Sequence, residues 1–218
     1  MRHRPFVFVD DLEQPELAEG DRHHLERALR LRPGTEITVG DGFGSWRPAR
    51  LGLTITVEGP VEVEPRPQPA LTVGFAPVKG DRSDLVVQKL TELGVDEIVP
   101  LVTARSVVRW DGPRADKQLE RHRRIAREAA MQSRNPWLPT VRLQAPLAAF
   151  LADADDPVMA DPAGSPLVDP VRSIAIGPEG GFAPEELVDR PIVGLPGRIL
   201  RTETAAITAA VLAVSARS

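Results

Sequence analysis

The 218-residue sequence has no cysteine, which excludes disulfides, thiolate zinc sites and a cysteine nucleophile together. It also has no apolar run approaching the roughly 20 residues with which a helix spans a bilayer. The opening MRHRPFVFVDDLEQPELAEG carries bases but only a very short apolar stretch before it turns acidic, unlike a signal peptide. A cytoplasmic location without membrane association is the expectation. Neither GxGxxG nor GxxxxGK[ST] occurs, so neither a dinucleotide-binding Rossmann site nor a P-loop is supported. No metal is expected either, because the adjacent His23 and His24 point in different directions and lack carboxylates at ligand spacing. Internal repeats and low-complexity segments are missing as well.

A net charge of −4 argues against a protein that coats nucleic acid by bulk electrostatics. The bases are unevenly spread, however. Residues 71–144 carry more bases than acids, crowded into Arg114–Arg134, while the flanking segments are net acidic. Charge alone favours a solvated helix face there.

Three prolines in Pro65–Pro69 can continue neither a helix nor a central strand, and they divide the chain into 1–68 and 69–218. Before them lie short β-rich runs at Phe6–Val9, Glu36–Val39, Trp46–Leu53, Thr54–Val57 and Val61–Val63, with one helical stretch at Asp21–Leu31. Short strands with one helix suggest a small barrel. After the prolines, strand and helix alternate. Strands are expected at Ala70–Ala76, Glu97–Leu101, Pro157–Ala160, Ser173–Ile176 and Pro191–Val193. Helices are expected at Arg82–Leu93, with Leu85, Val86, Lys89, Leu90 and Leu93 as its apolar stripe and Gly94 as its cap, and at Ala115–Ser133, Pro184–Asp189 and Thr202–Ala216. That pattern predicts an α/β fold with a mostly parallel sheet covered on both faces.

Two segments carry chemistry. Ile174–Phe182 runs an apolar strand into a loop with three glycines, where backbone groups can approach a ligand at the carboxyl end of a strand. Leu195–Ala205, with Arg198, Arg201 and Glu203, also follows a strand and leads into the last helix. Thr202 reads there as the helix cap and Glu203 as a first-turn acid. Each segment alone is as well explained by a turn or a helix start. Two such turns within 30 residues suggest one shared pocket.

IGPEGGF (Ile176–Phe182) together with LPGRILRTETA (Leu195–Ala205) resembles the RsmE family, the 16S ribosomal RNA uridine-N3 methyltransferases of the SPOUT superfamily. Other blocks fall in order: Arg4-Pro5-Phe6, His24-Leu25 with Leu29–Gly34, Asp41-Gly42, Lys79-Gly80-Asp81, Gln88–Gly94 and Pro100-Leu101. One departure stands out: where the family pattern reads EQSGR, this chain reads MQSRN (Met131–Asn135).

The resemblance implies a SPOUT-type trefoil-knotted sheet at 69–218 preceded by a PUA-like RNA-binding barrel at 1–68. It implies a homodimer, with S-adenosylmethionine as methyl donor. The implied target is the uridine at position 1498 of 16S ribosomal RNA, in the decoding region of the small ribosomal subunit. The donor is expected against Ala160, Asp161, Ile176, Gly177, Pro178, Glu179, Gly180, Gly181, Leu195, Gly197, Ile199, Leu200 and Thr204. Because N3 of uridine is protonated near neutral pH and lies on the pairing edge, the base must be unpaired and its proton removed. Glu203 is the candidate to orient or accept that proton, although Arg201 nearby would weaken it as a base. Arg201 or Arg198 could instead stabilise the developing uridine anion. RNA contacts are expected at Arg4, Arg30, Arg32, Lys79, Arg121, Arg124 and Arg134. The competing readings are a transfer-RNA ribose 2′-O-methyltransferase of the same superfamily and an RNA-binding or assembly factor without catalysis.

Overall fold

A computed structural model describes residues 4–23, 25 and 30–217. Two units emerge, one taking the chain up to Arg66 together with Ala130–Leu138, the other Pro67–Ala129 and Pro139–Ser218.

In the first unit, β1 (Phe6–Phe8) pairs in parallel with β2 (Glu36–Gly40). The strand β3 (Ser45–Arg50) then runs antiparallel to β2, to β4 (Thr56–Val57) and to β5 (Glu62–Val63). Side chains alternate across a strand, so β1 buries both faces. Val7 and Val9 join Leu25, Ile37, Val39, Ala49 and Leu51, while Phe6 and Phe8 join Ala130, with Met131 and Leu138 packed beside them. Met131, which stands where the family pattern has an acid, is thus an apolar packing residue. Of the helix expected at Asp21–Leu31, a short α1 (Glu19–His23) is seen; residues 24 and 26–29 lie outside the described residues.

The second unit is built on a sheet ordered β12-β10-β11-β6-β7-β8, with β9 also on β7. Its strands are β6 (Thr72–Phe75), β7 (Glu97–Val102), β8 (Thr140–Val141), β9 (Ala145–Pro146), β10 (Pro157–Pro166), β11 (Ser173–Ile176) and β12 (Ile192–Gly194). Its helices are α2 (Arg82–Glu92), the long α3 (Gly112–Ser133, whose last turn belongs to the first unit), α4 (Leu147–Asp153), α5 (Pro184–Leu187) and α6 (Thr202–Ser215). Every strand pairing is parallel. Alternation again builds two cores. Val73, Phe75, Ile98, Ile174 and Ile176 meet α2 and α6, whereas Val99, Leu101, Met159 and Ala175 meet α4 and Phe182. Helices therefore cover both faces, as the sequence pattern predicts. The small side chains Ala205, Ala206, Ala209, Ala210 and Ala213 on α6 share the first of these cores with Val86, Val87 and Leu90 of α2.

Two expectations need correction. The buried face of α2 is Ser83, Val86, Val87, Leu90 and Thr91, while Leu85 is 40% exposed. At about 100° per residue, Leu85 lies nearly opposite that face, and Lys89 also falls off it. Strand β10 does not stop at Ala160 but runs to Pro166. The segments β8, β9 and α4 had no sequence prediction. The end of α2, by contrast, follows expectation. Val95 N donates to Leu90 O and Gly94 N to Thr91 O, both at 3.0 Å, a Schellman arrangement.

A buried ion pair fastens the chain end to the sheet. Asp96 Oδ2 accepts from Arg217 Nη2 at 2.6 Å and from Leu71 N at 2.8 Å, and Arg217 Nη1 donates to Gly94 O at 3.1 Å. The two side chains are 5% and 7% exposed. Removing one partner strands a buried charge, so Arg217→Ala should cost about 3 kcal/mol in urea denaturation. A loss below about 1 kcal/mol, the scale of a surface pair, would refute that role.

Candidate active site

The carboxyl ends of β10, β11 and β12 lie side by side, where ligands bind in open α/β sheets. Each end departs from regular structure. After Ile176, the chain makes a tight turn in which Gly181 N donates to Pro178 O at 2.8 Å. After Gly194, it passes through Leu195–Leu200, with Gly197 at φ +104°, a conformation that favours glycine. On β10, Ala160 and Ser165 both pair with Val193, so Asp161–Gly164 is an excursion that leaves the ladder and returns to it. Such an irregularity re-aims side chains near functional sites.

Between these three segments lies a cavity of about 290 Å³ lined by Ala160, Asp161, Pro162, Ile176–Glu179, Gly181, Leu195, Gly197–Leu200, Thr202 and Ala205. Thr202 is not the helix cap. The N-cap position is Arg201, and Thr202 begins α6. Its buried hydroxyl instead donates to Gly177 O at 3.0 Å and ties the two glycine-bearing loops together. Asp161 reaches the cavity with Oδ1 accepting from Ala163 N at 2.9 Å, so it is both a turn residue and a lining group.

Of the residues expected around a donor, Gly180 and Thr204 fall outside this lining. Gly180 O is taken by Arg105 Nη1 at 2.8 Å, and Thr204 is exposed on α6. Arg198, expected to act on the acceptor, lines this cavity. Arg201 lines a more open cleft beside it, with Arg82, Glu179, Ile199 and Leu200. The two spaces share Glu179, Ile199 and Leu200.

Glu203 sits at the second position of α6 with its side chain 12% exposed. The cation beside it is not its sequence neighbour Arg201 but Arg82, whose Nη1 stands 3.5 Å from Glu203 Oε1 and 2.7 Å from Glu179 Oε1. Among the described residues, Glu203 Oε2 is buried without a hydrogen-bond partner. The pKa of Arg82 is raised, chiefly by its hydrogen bond to Glu179, with Glu203 adding to the effect. Nothing at Lys79–Arg82 distinguishes this arginine in the sequence, because its partners lie about a hundred residues away.

Several expected RNA-contacting bases already hold carboxylates. Arg4 pairs with Glu36, Arg121 with Asp84 and Arg124 with Glu128. Arg30, Arg32 and Lys79 are exposed, and Arg134 is half-buried with a left-handed backbone at φ +58°. On the inner side of α3, burial pushes the His122 imidazole down to about 4 against the opposing pull of Asp84. Among the described residues, no cluster of histidines and carboxylates is arranged to hold a metal, and no helix is long and apolar enough to cross a membrane.

Residues 64–214 match the RNA methyltransferase domain family. Ribosomal RNA small subunit methyltransferase E of Mycobacterium bovis is 34% identical over 88% of this chain and 83% of its own length. The protein of that name from Bacillus subtilis is 32% identical over 86% and 84%. Among solved structures, a methyltransferase of Legionella pneumophila with S-adenosylmethionine bound superposes at a TM-score of 0.86, with 28% identity and 99% of both chains covered. The small subunit methyltransferase E of Neisseria gonorrhoeae, also bound to S-adenosylmethionine, gives 0.77 with 27% identity over 95% of each chain. The fold, the site and these similarities together place the chain in the ribosomal RNA small subunit methyltransferase E (RsmE) family of RNA methyltransferases.

Proposed function

We propose that this chain transfers a methyl group from S-adenosylmethionine to N3 of the uridine at position 1498 of 16S ribosomal RNA, giving 3-methyluridine. The observation that carries the reading is the meeting of three strand ends around one cavity that adjoins a cleft holding Arg82 and Arg201. The cavity suits such a donor chemically. It is near the lower end of the about 300–1,000 Å³ usual for ligand pockets. Its apolar side chains Ile176, Leu195, Ile199, Leu200 and Ala205 suit an adenine ring, and the carboxylates of Asp161 and Glu179 suit a cationic sulfonium and ammonium. A nucleoside triphosphate, the alternative occupant, would bring several negative charges against the same two carboxylates.

The donor supplies an electrophilic methyl carbon: the N3–C bond forms, the S–C bond breaks, and its electron pair stays on sulfur. The chain's own task is to orient the uracil and take the N3 proton. Glu203 Oε2 is the acceptor in this scheme, and Arg201 stabilises negative charge developing on the base. Gly177, Gly181, Leu195, Gly197 and Leu200 hold the donor through backbone groups.

Residues 69–218 act as the methyltransferase domain, with the trefoil knot of SPOUT proteins. Residues 1–68 act as a PUA-like barrel on RNA; Arg4, Arg30 and Arg32 of that segment, and Lys79, Arg121, Arg124 and Arg134 beyond it, are the phosphate contacts. The enzyme works as a cytoplasmic homodimer on the small ribosomal subunit. Incubating it with labelled donor and small subunits lacking the modification, followed by nucleoside mass spectrometry, tests the assignment. Label in 3-methyluridine is the expected result; label in a 2′-O-methylated nucleoside, or none, would overturn it.

A further inference from the structure

Arg82 opens α2 and brings three distant stretches to one cation. Its Nε donates to Lys79 O at 3.3 Å, while Nη1 reaches Glu179 of the loop after β11 and Glu203 of α6. The two carboxylates are unlike. Glu179 is 57% exposed and takes the short 2.7 Å bond, so water can replace its partner at little cost. Glu203 is 12% exposed, has one oxygen 3.5 Å from Arg82, and has the other buried without a partner among the described residues. A carboxylate so far removed from water is costly unless a cation compensates it. Its sequence neighbour Arg201 lines the open cleft instead.

We propose that Arg82 is a positioning residue that holds Glu203 through Oε1 and so leaves Oε2 for the uridine N3–H. The proposal rests on Glu203 being the group that handles that proton. One nitrogen, Nη1, faces Glu179 and Glu203 at once, so what the buried Glu203 carboxylate needs at this place is a cation. Holding the carboxylate matters because a proton acceptor displaced by about 1 Å loses on the order of a hundredfold in rate.

The test compares Arg82→Ala, Arg82→Gln, Arg82→Lys, Glu203→Gln and the Arg82→Ala/Glu203→Gln double variant. The readouts are kcat and KM on small subunits lacking the modification, and calorimetric binding of S-adenosylmethionine. Arg82→Ala is expected to lower kcat roughly 10- to 100-fold, with KM and donor affinity changed less than about twofold. Arg82→Lys, which keeps the charge, should recover most of the loss, and the double variant should be no slower than Glu203→Gln alone, because a residue acting through another adds nothing once that residue is gone. Should Arg82→Ala fail to fold, Arg82→Gln against Arg82→Lys makes the same comparison. Wild-type kcat in Arg82→Ala overturns the proposal. So does a rise in KM alone, which would make Arg82 an RNA contact, or an undiminished further loss in the Glu203→Gln background. A fully active Glu203→Gln overturns this proposal and the Glu203 assignment together, whereas an inactive Glu203→Gln beside an active Arg82→Ala overturns this proposal alone.

Discussion

Replacing Gly164 with valine will prevent the carboxyl-terminal part of the sheet from reaching its native packing. A Cβ at this position would lie 2.5 Å from Val193 C, 2.6 Å from Val193 N and 2.7 Å from Val193 Cα. These are backbone atoms of β12, which cannot rotate aside as a side chain would. The passage is tight in both directions, since a Cβ on Gly194 would stand 2.6 Å from Gly164 O. Relief requires β10 and β12 to separate, and with them the returning pairs Ser165↔Val193 and Pro166↔Gly194. Overpacking ordinarily costs about 1–3 kcal/mol because neighbours yield. Here they cannot, and a loss beyond about 4 kcal/mol is expected, enough to take a marginal domain close to unfolding. Alanine introduces the same Cβ and should show a milder form of the defect. Thermal melting of Gly164→Val within about 1 kcal/mol of wild type would mean that the two strands do not pass as closely as described.

Changing Glu203 to glutamine is expected to lower kcat by roughly a hundred- to ten-thousand-fold, the range supplied by a positioned proton acceptor. Glutamine keeps the shape and the hydrogen-bonding oxygen but cannot take a proton at neutral pH. Glu203 does not line the strand-end cavity proposed to hold the donor, so the dissociation constant for S-adenosylmethionine should move by less than about twofold. Loss of donor binding in step with kcat would make Glu203 a structural support of the loops instead. If kcat were unchanged, stabilisation of the uridine anion by Arg201 would have to carry the proton-transfer step without a carboxylate.

Much of this site is visible in the sequence because its pieces are local. A buried strand running into Gly177–Gly181 and a second turn at Leu195–Leu200 announce themselves by glycine after apolar residues, and the strand ends do converge. What stays hidden is whatever depends on pairing across long separations. Thr202 looks like a cap from its neighbours alone, yet its hydroxyl is drawn to Gly177 O, a partner 25 residues earlier. Arg201 looks like the cation beside Glu203, but the helix start directs it into the open cleft and Arg82 takes that place. The excursion Asp161–Gly164 reads as a loop following a strand that ends at Ala160, since nothing local signals that the chain rejoins the same neighbour at Ser165. Leu85 was misplaced for a different reason. Apolar spacing on α2 is nearly continuous, and only the packed sheet chooses which arc is buried.

The central claim is that the strand-end cavity holds the methyl donor and that the transferred methyl lies toward the adjoining cleft lined by Arg82 and Arg201. A crystal structure of the chain with S-adenosylmethionine tests this most directly. The account predicts the donor against Ala160–Asp161, Ile176–Gly181 and Leu195–Leu200, with its methyl carbon directed to the Arg201 cleft. A donor bound elsewhere, or with its methyl turned away from that cleft, would contradict it.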